Sequence, residues 1–148
     1  MVAAPPCLFC AIVAGTEPAA LVLDEERCVA FLDTRPLFAG HVLLVPRAHH
    51  VTLAELPAEL VAPLFAAAQR LCRAVEQAQR AQGTFVAMNN VVSQSVAHLH
   101  VHVVPRRRKD GLRGFFWPRT RYASEAEMAE TAVGIRDALA GEGIVSST

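Results

Sequence analysis

The chain has 148 residues, of which 53% are hydrophobic and 19% charged, and its formal net charge is zero. This composition supplies enough apolar side chains for a compact core and argues against a disordered chain. A neutral chain has no global field that would recruit nucleic acid or an anionic membrane, and its apolar runs stop short of the roughly 18 residues of a spanning helix.

Hydrophobic periodicity predicts helices and strands in clusters along the chain. Leu60, Leu64 and Ala67 recur at helical steps, and Ser124 with Glu127 forms a capping box that begins a final helix. The predicted elements are a short helix at 7–14, strands at 21–23, 28–32 and 41–45, a long helix at 58–82, strands at 84–88 and 97–104, and a helix at 124–139. This pattern favours an α+β fold around an antiparallel sheet of about five strands, with residues 1–148 as a single domain.

Three histidines alternate with apolar residues in the last predicted strand: His98, His100 and His102. On a strand they would share one face at a spacing of about 6.5 Å, while the residues between them face the core. Such imidazoles can act together on a phosphate and its leaving group, or they can bind zinc. A solvated polar face is the remaining alternative, and three of the chain's six histidines in one strand argue against it.

Polar residues flank this strand and lie upstream of it. Ser93-Gln94-Ser95 supplies donors before the strand and Pro105-Arg106-Arg107 supplies cations after it, which fits a phosphate site. His41 follows a glycine and begins an apolar strand, where it either orients a neighbouring imidazole or is a half-buried structural histidine. Asp33 ends a strand, where it either binds ribose hydroxyls or forms a turn.

The N-terminal motif Cys7-Leu8-Phe9-Cys10 is a Cys-x-x-Cys pair. The start of the chain lacks the features of a secretory signal, which predicts a cytoplasmic protein with reduced thiols. A redox motif would lie between a strand and a long helix, so a structural zinc site is favoured, with His49, His50 and the histidine strand as candidates for two further ligands. Cys28 and Cys72 lie in apolar stretches and are predicted core residues.

Together these motifs resemble the histidine triad (HIT) superfamily, whose signature of alternating histidines matches residues 98–104. The upstream pattern of the family matches Phe31-Leu32-Asp33, Pro36, the run from Gly40-His41 to Pro46-Arg47, and His49. The N-terminal motif matches the Cys-x-Phe-Cys-x-Ile form of many bacterial members. The resemblance covers about residues 7–106 and implies a HIT-like fold, with a basic and aromatic C-terminal region at 106–148.

The resemblance implies a role for each matching residue. His100 would be the nucleophile that attacks the α-phosphorus of a nucleotide and forms a covalent nucleotidyl-histidine. His102 and Ser95 would contact the phosphate or the leaving group, and His41 would orient the imidazoles. The implied substrate-binding residues are Asp33 for the ribose, Leu8, Phe9, Ile12 and Phe31 for the base, and Gln94 and Asn89 in the phosphate loop.

Two further properties follow from the resemblance. Members with the cysteine pair hold a structural zinc ion through both cysteines, the upstream histidine and the first triad histidine, which are here Cys7, Cys10, His49 and His98. The family also implies a homodimer.

The sequence departs from the family pattern in two segments. The loop at 89–94 lacks the usual glycines, and residues 106–122 are unusually basic and carry the aromatic residues Phe115, Phe116 and Trp117. The second segment either binds a longer polyphosphate or a second base, or it is a solvated basic loop whose aromatic residues pack on the core or a dimer interface.

The predicted function is that of a nucleotide hydrolase or nucleotidyl transferase that acts on nucleoside phosphoramidates, with a purine such as adenine as the expected base. The alternatives are a dinucleoside polyphosphate hydrolase, a nucleotide-binding or scaffold protein with incidental turnover, and a zinc-dependent hydrolase with all three histidines on the metal. His102 argues against the phosphorylase branch, which has glutamine there. No nucleic-acid or membrane partner is expected.

Overall fold

The computed structural model describes residues 6–112 and 120–142. The chain divides into two compact units, Met1–Asp110 and Gly111–Thr148. The first unit contains α1 (Leu8–Val13), β1 (Leu21–Asp24), β2 (Cys28–Leu32), β3 (Val42–Pro46), a 3-10 turn (Leu53–Glu55), α2 (Ala58–Gln79), β4 (Gly83–Ala87) and β5 (Val101–Arg106), and the second contains α3 (Glu125–Glu142). Within the described ranges, no helix combines the length and apolar character needed to cross a membrane.

The strands form one antiparallel sheet in the order β1-β2-β3-β5-β4. The histidine strand β5 therefore lies between β3 and β4, with His102 opposite Leu43 on β3. An α+β fold with an antiparallel sheet of about five strands, one long helix, a short N-terminal helix and a C-terminal helix was predicted from the sequence, and it is confirmed.

The two faces of the sheet bury different apolar sets. On one face, alternate strand residues such as Leu44 and Val101 pack against Leu64 and Leu71 of α2. On the other face, a smaller cluster is formed by Phe9 of α1 with Val29, Phe31, Leu43 and Val45. Because side chains alternate along a strand, His102 emerges on the face opposite α2, next to this smaller cluster.

The start of β5 differs from the predicted strand at 97–104. The ladder begins at Val101, because the backbone N–H of Leu99 donates to the His50 carbonyl at 2.7 Å and not to a neighbouring strand. His98 and His100 therefore lie just before β5, outside the ladder. The alternation still holds there, because Leu99 is fully buried in the core against α2 while His98 and His100 face the other way.

The long helix differs from the prediction at its end. It stops at Gln79 and not at 82, because Arg80 adopts a left-handed conformation with φ 51° and closes the helix. Pro63 lies inside the helix and has no N–H for the Glu59 carbonyl, which accepts a hydrogen bond from the Arg27 guanidinium at 3.4 Å.

In the second unit, Ser124 is the predicted N-cap, and the reciprocal bond of the capping box is shifted by one residue to Ala123. Glu127 N–H donates to Ser124 Oγ at 3.1 Å, and the Glu127 carboxylate accepts from the backbone N–H of Ala123. The helix continues to Glu142, beyond the predicted end at 139. The aromatic residues Phe115, Phe116 and Trp117 lie outside the described residues.

Candidate active site and metal centre

Four potential metal ligands meet where α1 approaches the histidine segment: Cys7, Cys10, His49 and His98, whose ligand atoms lie within 4.8 Å of one another. His98 Nδ1 is 3.5 Å from Sγ of each cysteine, and His49 Nδ1 is 3.2 Å from Cys10 Sγ. In a tetrahedral zinc site with ordinary bond lengths, a sulfur and a nitrogen ligand are about 3.6 Å apart. The donor set and its spacing therefore fit zinc.

A hydrogen bond on the opposite side of the His98 ring leaves Nδ1 free to bind a metal. Its Nε2 lies 2.9 Å from the Pro46 carbonyl, which can only accept, so Nε2 carries the proton and Nδ1 has a free lone pair toward the cysteines. The ring is fully buried, and burial is the main cause that lowers the pKa of His98. A neutral imidazole with an unprotonated Nδ1 is the form that binds a metal.

The same residue fixes His100 through its main chain. His100 Nδ1 lies 2.7 Å from the His98 carbonyl oxygen, so Nδ1 is the protonated nitrogen and Nε2 carries the lone pair. The His100 residue is 2% exposed and still lines a surface cleft. The group with the cysteines contains His98, a separate group of possible ligands contains His102 with Asp33 and His41, and among the described residues no such group contains all three histidines. The geometry does not favour the alternative in which one metal binds all three histidines.

A chain of hydrogen bonds orients His102. The backbone N–H of Leu37 donates to His41 Nδ1 at 3.2 Å, and His41 Nε2 lies 2.9 Å from His102 Nδ1. Because His41 Nδ1 accepts, His41 Nε2 is the donor, and His102 is left with its proton on Nε2. Burial is the largest cause that lowers the pKa of His41 and lowers that of His102 to about 4, so both rings are neutral at pH 7.

Asp33 lies beside this chain without forming an ion pair with it. Its Oδ1 accepts from the backbone N–H of Arg35 at 2.8 Å, and its Oδ2 is 3.7 Å from His41 Nδ1. That nitrogen already accepts the Leu37 N–H, so it offers no proton to the carboxylate. Asp33 therefore remains an acceptor at the edge of the cleft.

The cleft on the α1 side of the sheet has a volume of about 180 Å³. Its apolar wall includes the four predicted base-pocket residues, and its polar wall includes four of the other predicted site residues. In chain order, the predicted residues that line it are Leu8, Phe9, Ile12, Phe31, Asp33, Ser95, His100 and His102. His41 lies behind His102, 3% exposed. The cleft thus joins an apolar surface, an acceptor and two oriented imidazoles.

In the loop before the histidines, the side chains of Asn89 and Gln94 form hydrogen bonds to main-chain groups of the protein and do not point into the cleft. Gln94 Nε2 donates to the Val51 carbonyl at 2.7 Å, and Gln94 Oε1 accepts from the Val91 N–H. Asn89 Nδ2 donates to the Ser93 carbonyl at 3.2 Å. Neither Gln94 nor Asn89 lines the cleft. Their role in phosphate binding stays a prediction, and the structure assigns them to the loop's own conformation.

Sequence reasoning missed the main-chain partners of the site. The tautomers of the histidines are set by three main-chain groups: the Pro46 carbonyl, the His98 carbonyl and the Leu37 N–H. A pattern of side chains in the sequence cannot predict a main-chain partner. It also missed Thr34 and Arg35, which line the cleft next to Asp33. Their only signal was their position in the loop after Asp33.

Residues 14–109 match the HIT domain family. The chain belongs to this family. An uncharacterized HIT-like protein of Mycobacterium tuberculosis is 40% identical over 109 residues, 72% of this chain and 76% of the relative. The adenylylsulfatase of Arabidopsis thaliana and the adenosine 5'-monophosphoramidase of Saccharomyces cerevisiae are each 32% identical over 72% of this chain, which corresponds to 55% and 66% of those proteins.

Solved structures of the HIT family resemble the fold. A HIT-family protein of Bacillus subtilis matches with a TM-score of 0.82 and 30% identity, covering 90% of this chain and 96% of that one. A zinc-bound histidine triad protein of Mycobacterium smegmatis matches with a TM-score of 0.69 and 36% identity, covering 86% and 96%. The predicted membership of the histidine triad family is confirmed.

Proposed function

We propose that this HIT protein is a nucleotide hydrolase or nucleotidyl transferase that attacks the α-phosphorus of a nucleoside phosphoramidate through His100. The observation that carries the proposal is the 2.7 Å hydrogen bond from His100 Nδ1 to the His98 carbonyl. In the neutral form of the ring, this bond places the lone pair on Nε2, and His100 lines the cleft; an imidazole with a free lone pair is the form that acts as a nucleophile.

The remaining cleft residues support the rest of the reaction. The His100 Nε2 lone pair bonds to phosphorus while the bond to the leaving nitrogen breaks, and the amine takes up a proton from water. The Nε2–H of His102 donates to a phosphate oxygen, because His41 holds the opposite nitrogen as an acceptor. Water then attacks phosphorus, breaks its bond to His100 and releases the nucleoside monophosphate.

The walls of the cleft suit a nucleoside. Asp33 can accept hydrogen bonds from the ribose hydroxyls, and the apolar wall formed with Phe9 and Phe31 suits a flat base. Two relatives are named for activities on adenosine 5'-monophosphoramidate and adenylyl sulfate, which supports adenine as the base to test first.

Three of the arginines that favoured dinucleoside polyphosphates in the sequence lie outside the cleft. Arg106, Arg107 and Arg108 line a separate cavity at the ends of β4 and β5. The Arg106 guanidinium is hydrogen-bonded to Asp110, and that of Arg107 donates to the Gln79 carbonyl. Of the described arginines, Arg35 is the one that lines the cleft. Phosphoramidates are therefore proposed before polyphosphates.

The test compares turnover of adenosine phosphoramidate and diadenosine polyphosphates by the wild type and His100→Ala. We expect the variant to stay folded and to lose activity by several orders of magnitude, and mass spectrometry of the quenched wild type to find the nucleotide on His100. His50→Ala is the control, because it removes a histidine side chain outside the cleft. Near-normal activity of His100→Ala would remove His100 as nucleophile, and tight AMP binding without turnover would favour a binding protein.

Two further proposals concern the assembled protein. Zinc at the cysteine-histidine cluster would be structural, because four protein ligands leave no open position for substrate. Its chemical contribution would be to cross-link α1 to the histidine segment. We also propose a homodimer, which sedimentation at several concentrations would test. The cytoplasmic location stays a prediction.

A further inference from the structure

The Cβ–Cγ bond and the hydrogen bond to the His98 carbonyl hold the His100 ring at two adjacent atoms, Cγ and Nδ1. Coupled rotations about χ1 and χ2 can keep this hydrogen bond and still tilt the ring, and its Nε2 then leaves the line of attack on phosphorus. Reacting groups need alignment as well as contact. The rings that pack on His100 therefore matter for its orientation.

Two rings contact His100 from the side. The Phe9 centroid is 5.2 Å away with an interplanar angle of 84°, and the His102 centroid is 4.9 Å away at 67°. These are the perpendicular arrangements that aromatic pairs favour. The ring of Phe9 also lies 6.0 Å from that of His98 at 66°. Phe9 thus contacts both the residue that holds His100 and His100 itself.

Phe9 is itself firmly placed. It is 5% exposed, and its ring packs at 5.3 Å against Phe31. In the chain it lies between the two cysteines of the metal centre, and Cys7 Sγ accepts from the Cys10 backbone N–H at 3.4 Å. The backbone on both sides of Phe9 is therefore fixed by the same cluster that holds His98.

We propose that Phe9 is a positioning residue for His100, in addition to lining the apolar wall of the cleft. Its ring limits the tilt of the His100 imidazole, so that Nε2 keeps its direction toward the phosphorus. This proposal deepens the proposed function and rests on it. The alternative is that Phe9 contributes to base binding alone.

Phe65 provides a matched control. It lies on α2, is 41% exposed and does not line the cleft. For adenosine phosphoramidate, we expect Phe9→Leu to lower kcat by about tenfold to a hundredfold, whereas loss of base binding alone would raise KM and leave kcat unchanged. We expect Phe65→Leu to leave both kcat and KM within about twofold. Equal kcat in the two variants would overturn the proposal.

Nitrogen-15 NMR of the imidazoles in the resting protein gives a second measurement that needs no substrate. In the wild type and in Phe65→Leu we expect one sharp set of His100 signals with Nδ1 protonated. In Phe9→Leu we expect those signals to broaden or shift toward mixed tautomers. Unchanged His100 signals would overturn the positioning role even if the proposed reaction were wrong, so the two failures are distinguishable. If Phe9→Leu does not fold, Phe9→Met is measured with the same outcomes.

Discussion

The His102 imidazole is buried beside His41 and His100, and this environment lowers its pKa to about 4. Burial is the largest cause, the two neighbouring imidazoles add to it, and Asp33 opposes it. In the unfolded chain a histidine takes up its proton near pH 6.5. Between about pH 6.5 and 4 the unfolded state therefore binds a proton that the folded state does not. The free energy of unfolding falls as pH is lowered through this window, by about 3 kcal/mol from this group.

Urea unfolding at pH 7.5 and pH 5.0 checks this prediction. We expect the wild type to lose more of its free energy of unfolding between the two pH values than His102→Gln, in which the titrating ring is absent. Other titrating groups are common to both proteins, so the difference between the losses isolates His102. Equal losses in the two proteins would contradict a buried neutral His102.

At the same scale, the sequence predicted which side chains share a face better than it predicted their hydrogen-bond partners. The alternation of His98, His100 and His102 with apolar residues was enough to predict a shared face, because strand periodicity is local. The tautomers of His98 and His100 were not predictable from spacing. They depend on hydrogen bonds to the Pro46 and His98 carbonyls, which any residue type would present.

The loop between β4 and the histidine segment stores backbone strain. Val91 has φ 68° and Ser93 has φ 62°, in the left-handed region that β-branched residues strongly avoid. The Val91 side chain is 73% exposed, so it gains little from packing. Its N–H is held by Gln94 Oε1 at 3.0 Å, which helps to keep the loop in this conformation.

Replacing Val91 by glycine should relieve this strain. We expect Val91→Gly to raise the free energy of unfolding by about 1 kcal/mol, the gain from an unstrained left-handed residue less the extra entropy of glycine in the unfolded chain. Val92→Gly is the control, because Val92 is equally exposed but does not have a positive φ. It should be neutral or slightly destabilising. Denaturant unfolding measures both, and a destabilised Val91→Gly would argue against strain at this position.

Element boundaries were less predictable than element types, for a tertiary reason. The leucine spacing of α2 predicts a helix at once, but its last residue depends on Arg80 taking a conformation usually reserved for glycine. Likewise, β5 begins at Val101 because Leu99 bonds to His50, a residue about fifty positions away in the chain. Local patterns contain no information about such a distant partner.

At the scale of the whole molecule, the cysteine-histidine cluster joins three distant parts of the first unit. We expect about one zinc ion per chain in the purified protein, and we expect chelation to lower the thermal midpoint by several degrees, because a bound metal stabilises the folded state. Cys10→Ser should lose the metal, whereas Cys72→Ser, which changes a core cysteine outside the cluster, should keep it. Metal analysis and thermal unfolding of the three proteins measure this, and zinc retained by Cys10→Ser would contradict the assigned ligands.

His98 performs two tasks with two chemically independent groups. Its imidazole faces the cysteines, and its carbonyl oxygen, which every amino acid possesses, sets the tautomer of His100. The proposed metal site and the proposed nucleophile are thus linked through one residue but do not require the same side chain. An engineered chain could replace the four ligands by a well-packed apolar cluster and retain the carbonyl in place. The folded state of such a chain would no longer depend on a metal, and the groups that line the cleft would be unchanged.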